Sequence, residues 1–122
     1  MIRCISLDAP ARSFTSSAAD AIVYFEEGRW RVFTTRNCTI SCHGSACVEV
    51  EAAPDVALVL RAAGDTLLHT EGGYDATIDA SDAAEVFVHG VRSARPSVQC
   101  LARVTVLLAD GRVLRARRAR PP

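Results

Sequence analysis

Residues 97–117, SVQCLARVTVLLADGRVLRAR, give the clearest indication of the fold. Apolar and polar side chains alternate along this stretch, and a period of two is the spacing of a half-buried β-strand. One face of the strand is therefore expected to point into a core. We predict that the core face holds Cys100, Val104, Val106 and Leu108, and that the solvent face holds Arg103 and Thr105.

The same stretch contains a hairpin signal. Asp110-Gly111 lies between two apolar runs, and this dipeptide suits the two-residue type I′ turn of an antiparallel hairpin. Toward the N-terminus, Glu27-Gly28 separates the β-rich runs 21–26 and 29–34 and predicts another hairpin. Between these two hairpins, turn signals that contain glycine recur about every ten residues.

Short strands and frequent turns predict an all-β chain. We expect a two-sheet β-sandwich of about eight or nine short antiparallel strands, with a compact β-barrel as the alternative. At most one helical turn is expected, at residues 82–85, where Asp82 and Glu85 have capping-box spacing. The 122 residues, 49% of them hydrophobic, suit one domain spanning 1–122 that ends in a basic strand and tail at 112–122.

The charges balance overall but are unevenly distributed. The 14 basic residues, all arginine, match 14 acids, so composition indicates neither nucleic acid nor an acidic membrane as a partner. Residues 49–85 nevertheless carry nine acids against Arg61, whereas residues 86–122 carry eight arginines against Asp110. The two stretches are therefore complementary in sign.

The basic end supplies the candidate partner-binding residues, which are Arg112, Arg115, Arg117, Arg118 and Arg120. Such a strip can bind an acidic protein surface or phosphates, or it can simply keep an edge strand from pairing with other sheets. It is not interleaved with aromatic residues that would stack on bases, so we expect no specific nucleic-acid recognition. The expected partners are other proteins or copies of this chain.

Three of the five cysteines fall within residues 38–47, CTISCHGSAC. A tight turn at Gly44-Ser45 would place Cys42 opposite Cys47 on paired strands, at a Cα separation of about 4.5 Å that a disulfide tolerates. Cys42 and Cys47 are therefore a candidate disulfide. Free thiols in a core or at a partner contact are the alternative.

Other chemistry matches this cluster less well. Adjacent Cys42 and His43 on a strand would point to opposite faces, and there is no Cys-x-x-Cys pair, so no zinc site is predicted. A cysteine nucleophile needs a histidine within hydrogen-bond reach, which adjacency in sequence does not provide. We expect no enzyme activity, no cofactor and no small-molecule substrate.

Two further cysteines, Cys4 and Cys38, are candidate interchain thiols. The N-terminus lacks the apolar core of a signal peptide, and no run approaches about 18 consecutive apolar residues, so neither ordinary export nor a membrane span is expected. Cytosolic thiols usually stay reduced. The cysteines are therefore either inert core residues or groups that oxidise after the protein leaves a cytoplasm.

In its general character, this small all-β chain with several cysteines and a basic end resembles the decoration, neck and tail proteins of tailed bacteriophage virions. The resemblance covers the chain as a whole and no single motif carries it. It implies an accessory structural subunit, made in a host cytoplasm, that joins the virion and stabilises the particle by protein–protein contacts and disulfides. A cytosolic β-sandwich binding or adaptor module is the alternative, and a small enzyme or zinc protein fits less well.

Overall fold

The structure, a computed structural model, describes residues 12–117. This part of the chain consists of strands and turns, and no helix occurs in it. The strands are β1 (Arg12–Ser16), β2 (Ala21–Phe25), β3 (Arg29–Thr34), β4 (Cys38–Cys42), β5 (Cys47–Ala52), β6 (Ala57–Ala62), β7 (Leu67–Glu71), β8 (Asp75–Ala80), β9 (Glu85–Val91), β10 (Ser93–Val98), β11 (Arg103–Leu108) and β12 (Val113–Arg117).

The strands form two sheets that the chain visits in turn. Sheet A has the order β1-β3-β5-β7-β9-β11-β12, and sheet B has the order β10-β8-β6-β4-β2. Arg29 of β3 pairs in parallel with Cys47 of β5, which pairs in parallel with Leu67 of β7, so one coil takes 18 to 20 residues. Each full coil contributes one strand to each sheet, and the coils stack into a β-solenoid.

The prediction of an all-β chain is confirmed, but the antiparallel sandwich and its barrel alternative are wrong. Among the described strands, β11 and β12 form the one antiparallel pair, which is the hairpin predicted at Asp110-Gly111. Its turn is not the predicted type I′, because Gly111 has a positive φ and Asp110 does not. The hairpin predicted at Glu27-Gly28 is not formed, because β2 belongs to sheet B and β3 to sheet A. Most turns carry the chain across to the opposite sheet rather than back beside the strand just completed.

The core lies between the inward faces of the two sheets. Each strand turns alternate side chains inward, and equivalent side chains stack from coil to coil. Sheet A contributes a buried row made of Val32, Val50, Thr70, Val88 and Val106. Sheet B contributes a facing row that includes Ile40, Leu60 and Ile78. Full burial of each such aliphatic side chain contributes about 1.5–3 kcal/mol, so these rows supply most of the fold's stability.

One corner of the solenoid repeats the same backbone conformation in four successive coils. Its residues have positive φ and are Gly44 (63°), Gly64 (73°), Asp82 (57°) and Cys100 (59°). Backbone hydrogen bonds connect these corners, as where the Asp65 N–H donates to the Gly44 carbonyl at 2.8 Å. The helical turn predicted at residues 82–85 is not formed, because Asp82 occupies a left-handed corner.

The alternation seen in residues 97–117 is confirmed within β11 and wrong just before it. Val104, Val106 and Leu108 are buried, and Arg103 is exposed on the other face. Cys100, in contrast, is exposed. The reason is that β11 begins only at Arg103, so Cys100 belongs to the corner between sheets, where a period of two no longer applies.

Candidate functional site

The last strand places two of the predicted partner-binding arginines on the outer face of sheet A. In the β11–β12 hairpin, Arg115 pairs with Thr105 and Arg117 pairs with Arg103. Paired residues point to the same side of a sheet, and here that side is opposite to the buried residues of β11. Arg103, Arg115 and Arg117 are all exposed, so three arginines are grouped at this end of the face.

The other predicted arginines do not join this group. Arg112 precedes β12, and its Nε donates a hydrogen bond to Asp110 Oδ2 at 2.7 Å within the hairpin turn. Hydrogen bonds from the backbone N–H and the side chain of Arg112 hold the pKa of Asp110 below its ordinary value. Arg112 therefore stabilises its own turn, while Arg118 and Arg120 lie outside the described residues.

Three glutamates share the outer face of sheet A on two neighbouring strands. Glu49 and Glu51 lie on β5, and Glu71 on β7 pairs with Glu51. Glu49 lies beside two arginines of β3, at 3.8 Å from Arg29 and 3.7 Å from Arg31. These three acids make the β5–β7 region the acidic part of the face.

The acidic stretch 49–85 does not form a single surface. Because the chain crosses between the sheets every few residues, its acids are distributed over both sheets and the corners. Asp79 lies exposed on β8 in sheet B, Asp55 lies at the corner between β5 and β6, and Asp82 lies at the opposite corner. A charge count along the sequence cannot show which acids meet.

The outer face of sheet A is therefore polarised across its strand order. Glutamates lie on β5 and β7 and arginines lie on β11 and β12, with β9 between them. The separation is incomplete, because Glu85 of β9 pairs in register with Arg103, and β3 carries Arg29 and Arg31 beside Glu49. Strands about 4.8 Å apart place β5 and β12 roughly 19 Å from each other, well beyond the screening length of about 8 Å at physiological salt. Five charged side chains of this face form no ion pair with another described residue: Glu51, Glu71, Arg103, Arg115 and Arg117.

A shallow cleft of about 320 Å³ lies at the acidic end of this face. Side chains of β1, β3, β5 and β7 line it, including Arg31, Phe33, Glu51 and His69. Phe33 is 42% exposed. The cleft is open, unlike the pockets that bury most of a small ligand, so it suits a side chain presented by a partner. Among residues 12–117, no group of three or more side chains is arranged to hold a metal ion.

The predicted disulfide between Cys42 and Cys47 is not formed, because Cys42 is a buried free thiol. The tight turn at Gly44-Ser45 does occur, with the Ala46 N–H donating to the His43 carbonyl at 3.2 Å. It leads from β4 in sheet B to β5 in sheet A, so the two cysteines are not cross-strand neighbours. Burial raises the pKa of the Cys42 thiol to about 12, which makes it an inert core residue.

The remaining cysteines also differ from expectation. Cys38 is 5% exposed, and burial raises the pKa of its thiol against the opposing effect of a hydrogen bond with Ser16. Its predicted role as an interchain thiol is wrong, since it is a core residue, and Cys4 lies outside the described residues. No two described cysteines are bonded to each other, and Cys47 is the one described cysteine that is not a free thiol. The exposed thiol is Cys100.

The contact between Ser41 and His43 was not predicted from the sequence, where histidine was weighed only as a partner for cysteine. Ser41 Oγ lies 2.8 Å from His43 Nε2, and the His43 ring stacks on Tyr24 with centroids 4.7 Å apart. The Ser-x-His spacing, which puts both side chains on one face of a strand, is the signal that predicts this contact. A hydroxyl on an imidazole is the arrangement of an activated nucleophile. Ser41 is only 6% exposed, however, so its oxygen is not open to a substrate.

No family model, curated protein or solved structure matches the chain. Within residues 12–117 there is no helix of the length and apolarity that a membrane span requires. Physical features alone therefore define the class of protein. It is a short, mainly parallel β-solenoid, and one outer face carries glutamates on β5 and β7 and arginines on β11 and β12.

Proposed function

We propose that this protein is a structural subunit, without enzyme activity, that binds other protein chains through the outer face of sheet A. The observation that carries the proposal is the separation of unpaired charge on that face. Glu51 and Glu71 lie on one side of β9, and Arg115 and Arg117 lie on the other. Charges that are not neutralised within their own chain are available to orient a partner and fix its register.

The mixed signs on this face favour protein as the partner. A nucleic acid or an anionic membrane is attracted by a continuous basic surface, and the carboxylates of Glu51 and Glu71, which form no ion pair with another described residue, would repel it from the β5–β7 region. A protein surface carries both signs and can complement both halves. The arrangement therefore supports protein–protein contact over phosphate binding.

Charge alone would not hold such a complex, because exposed ion pairs contribute only about 0–1 kcal/mol each. The same face supplies apolar surface from Phe33, Phe87 and Val113, which are 42%, 43% and 52% exposed. Buried apolar area contributes about 25 cal/mol per Å², and aromatic side chains often dominate interface energies. In this proposal the phenyl rings supply affinity and the charges supply orientation.

The setting that we propose for this role is a larger assembly, and the tailed-phage virion is supported only by the general character of the sequence. Cys38 and Cys42 are buried free thiols, whereas Cys47 is not a free thiol. The cysteines therefore favour neither a virion that oxidises after lysis nor a cytosolic binding module. Both settings require the same protein-binding face.

Gradient sedimentation of lysates from the native cells tests the proposed function. The full chain of 13.1 kDa is expected in fractions heavier than a monomer, and high salt should shift it toward lighter ones. An Arg115→Glu/Arg117→Glu variant should leave the heavy fractions, because like charges would then meet at the interface. Arg95→Glu, on the exposed edge strand β10 of sheet B, is the matched control and should sediment like the native chain.

A photo-crosslinking amino acid identifies what the face contacts. Placed at position 87 on β9, it should yield protein adducts, and placed at Thr77 on sheet B it should yield none. A native chain that sediments as a monomer under all conditions would refute the proposal. Heavy fractions that disappear on nuclease treatment, with nucleic acid crosslinked at position 87, would refute it in favour of phosphate binding.

A further inference from the structure

On the outer face of sheet A, strand β9 lies between two strands that carry glutamates and two strands that carry arginines. Strands β7 and β5 follow it on one side, and β11 and β12 follow it on the other. A two-fold axis parallel to the strands and passing along β9 would lay β5 of one copy over β12 of another, and β7 over β11. Acidic strands would then lie over basic ones at both ends, as a self-complementary dimer interface requires.

One pair of oppositely charged positions also matches in height along the strands. The register runs from Glu49 through His69, Phe87 and Thr105 to Arg115, so Glu49 and Arg115 lie at the same height on the face. Rotation about an axis parallel to the strands leaves this height unchanged, and Arg115 would therefore face Glu49 of the second copy. Glu51 lies about 6.6 Å further along β5, within reach of the same long guanidinium side chain.

The centre of the face is aromatic. Phe87 lies on β9, at the height of Glu49 and Arg115, and is 43% exposed. A residue on a two-fold axis meets its own counterpart, so two phenyl rings would pack at the centre with the ion pairs around them. An aromatic centre within a polar rim is the usual distribution of binding energy in protein interfaces.

Other arrangements of two copies are less favourable. A two-fold axis across the strands would place β5 over β5 and β12 over β12, which sets like charges against each other. End-to-end stacking through sheet B would use the edge strand β10, whose Pro96 has no N–H to give to a sheet ladder. In sheet A the corresponding edge is already occupied by the antiparallel strand β12.

We infer that the partner is a second copy of this chain, bound face to face across sheet A about a two-fold axis along β9. This inference rests on the proposed function and names its partner. The strands from β5 to β12, about 4.8 Å apart and about five residues long, cover roughly 400 Å² per copy. Standard interfaces bury about 800 Å² per partner, so this dimer is weak and depends on concentration.

Charge exchange at one pair of positions tests the geometry with purified full chains. Sedimentation equilibrium from about 10 µM to about 1 mM should show a monomer–dimer equilibrium for the native chain. Glu51→Arg and Arg115→Glu should each weaken it about tenfold or more, because each homodimer then contains two like-charge contacts. An equimolar mixture of the two variants should dimerise again, and so should the double variant, since both restore opposite charges. Arg95→Glu is the control and should behave like the native chain.

A cysteine on the proposed axis gives an independent readout. In a Cys100→Ser background, His89→Cys, which is exposed on β9 and leaves Phe87 in place, should be linked to its own counterpart by a short bismaleimide, whereas Thr77→Cys on sheet B should not. A native chain that stays monomeric throughout, or a dimer unaffected by either charge variant, would overturn the inference. The purified native chain could stay monomeric and yet sediment in heavy fractions of the lysate, from which Arg115→Glu/Arg117→Glu releases it. In that case the partner is not a second copy of this chain, and the proposed function stands.

Discussion

Asp82 Oδ2 accepts a hydrogen bond from the backbone N–H of Gly64 at 2.8 Å, and this bond ties the corner of one coil to the corner of the next. Both residues have positive φ, at 57° for Asp82 and 73° for Gly64. Aspartate is one of the few residues other than glycine that tolerates this conformation, and its carboxylate reaches nearby backbone donors. One side chain thus serves both the geometry and the hydrogen bonding of the corner.

Substitutions at Asp82 should separate these two contributions to stability. Asp82→Asn keeps the acceptor and the tolerance of positive φ, so we expect its free energy of unfolding to stay within about 0.5 kcal/mol of the native value. Asp82→Gly loses only the hydrogen bond and should lower the free energy of unfolding by about 0.5–1 kcal/mol. Asp82→Ala also strains the backbone and should lower it by about 1–2 kcal/mol. Urea unfolding measures all three. An alanine variant as stable as the asparagine variant would contradict this account.

A second prediction concerns the close approach of neighbouring corners. A Cβ added at Gly64 would lie 2.7 Å from the carbonyl oxygen of Gly44, at a φ of +73°. Because the obstacle is backbone, Gly64→Ala should destabilise the fold by about 2 kcal/mol or more. Gly111 has a φ of +93° but no atom within 4 Å of an added Cβ, so Gly111→Ala should show the backbone strain alone, about 1 kcal/mol.

Gly73 is the matched control for these variants. An added Cβ there meets nothing within 4 Å, and its φ is not positive. Gly73→Ala should therefore leave the free energy of unfolding within about 0.5 kcal/mol of the native value. Thermal or urea unfolding should rank the three variants with Gly64→Ala least stable and Gly73→Ala most stable. Equal losses at Gly64 and Gly111 would mean that the solenoid relaxes around the added methyl group.

The sequence predicts the strands of this protein well and their partners poorly, for a physical reason. In β11 the alternation correctly assigns Val104, Val106 and Leu108 to the core. An alternating strand looks the same in a sandwich and in a solenoid, because in both it packs one face against an opposite sheet. Which strand lies beside it depends on whether the turn reverses the chain or carries it across, and the residues of Glu27-Gly28 fit both outcomes.

The sequence does contain a signal for the solenoid, but different residue types carry it in different coils. The left-handed corners recur at Gly44, Gly64, Asp82 and Cys100, at intervals close to one coil. Three residue types share this conformation, so no repeated motif appears in the sequence. The exposure of Cys100 follows from the corner, which is why its predicted burial was wrong. The distribution of charge on the outer face of sheet A could not be predicted either, since the pairing of Glu51 with Glu71 depends on a register between strands a full coil apart.

A third prediction uses the different exposure of the free thiols. Cys100 is exposed, whereas Cys38 and Cys42 are buried and their pKa values are raised by burial. Ellman's reagent at about pH 8 should therefore react quickly with Cys100 in the folded protein and reach the other two only after unfolding. Cys100→Ser should abolish the fast phase. Rapid modification of Cys42 in the folded chain, located by peptide mass mapping, would show that β4 opens.

The last prediction concerns stability at alkaline pH. Burial raises the pKa of Cys42 from 9.0 to about 12 and that of Tyr74 from 10.0 to about 12, the latter against a hydrogen bond to Thr70. At a pH between the ordinary pKa and the raised pKa of each group, the unfolded chain has lost a proton that the folded chain keeps. Because the unfolded state then binds fewer protons, the free energy of unfolding falls as pH rises.

We therefore expect stability to decline from about pH 9, where the unfolded Cys42 thiol ionises, and more steeply from about pH 10, where the unfolded Tyr74 phenol follows. Each group contributes up to about 1.4 kcal/mol per pH unit. Urea unfolding at intervals from about pH 8 to about pH 11 measures the slope, and the difference between the native chain and Cys42→Ala isolates this thiol from all other titrating groups. Cys42→Ala should be flatter between about pH 9 and 10, and Tyr74→Phe should be flatter only above about pH 10. Native and Cys42→Ala curves that run parallel across the whole range would show that the Cys42 thiol is not held in its neutral form by the fold.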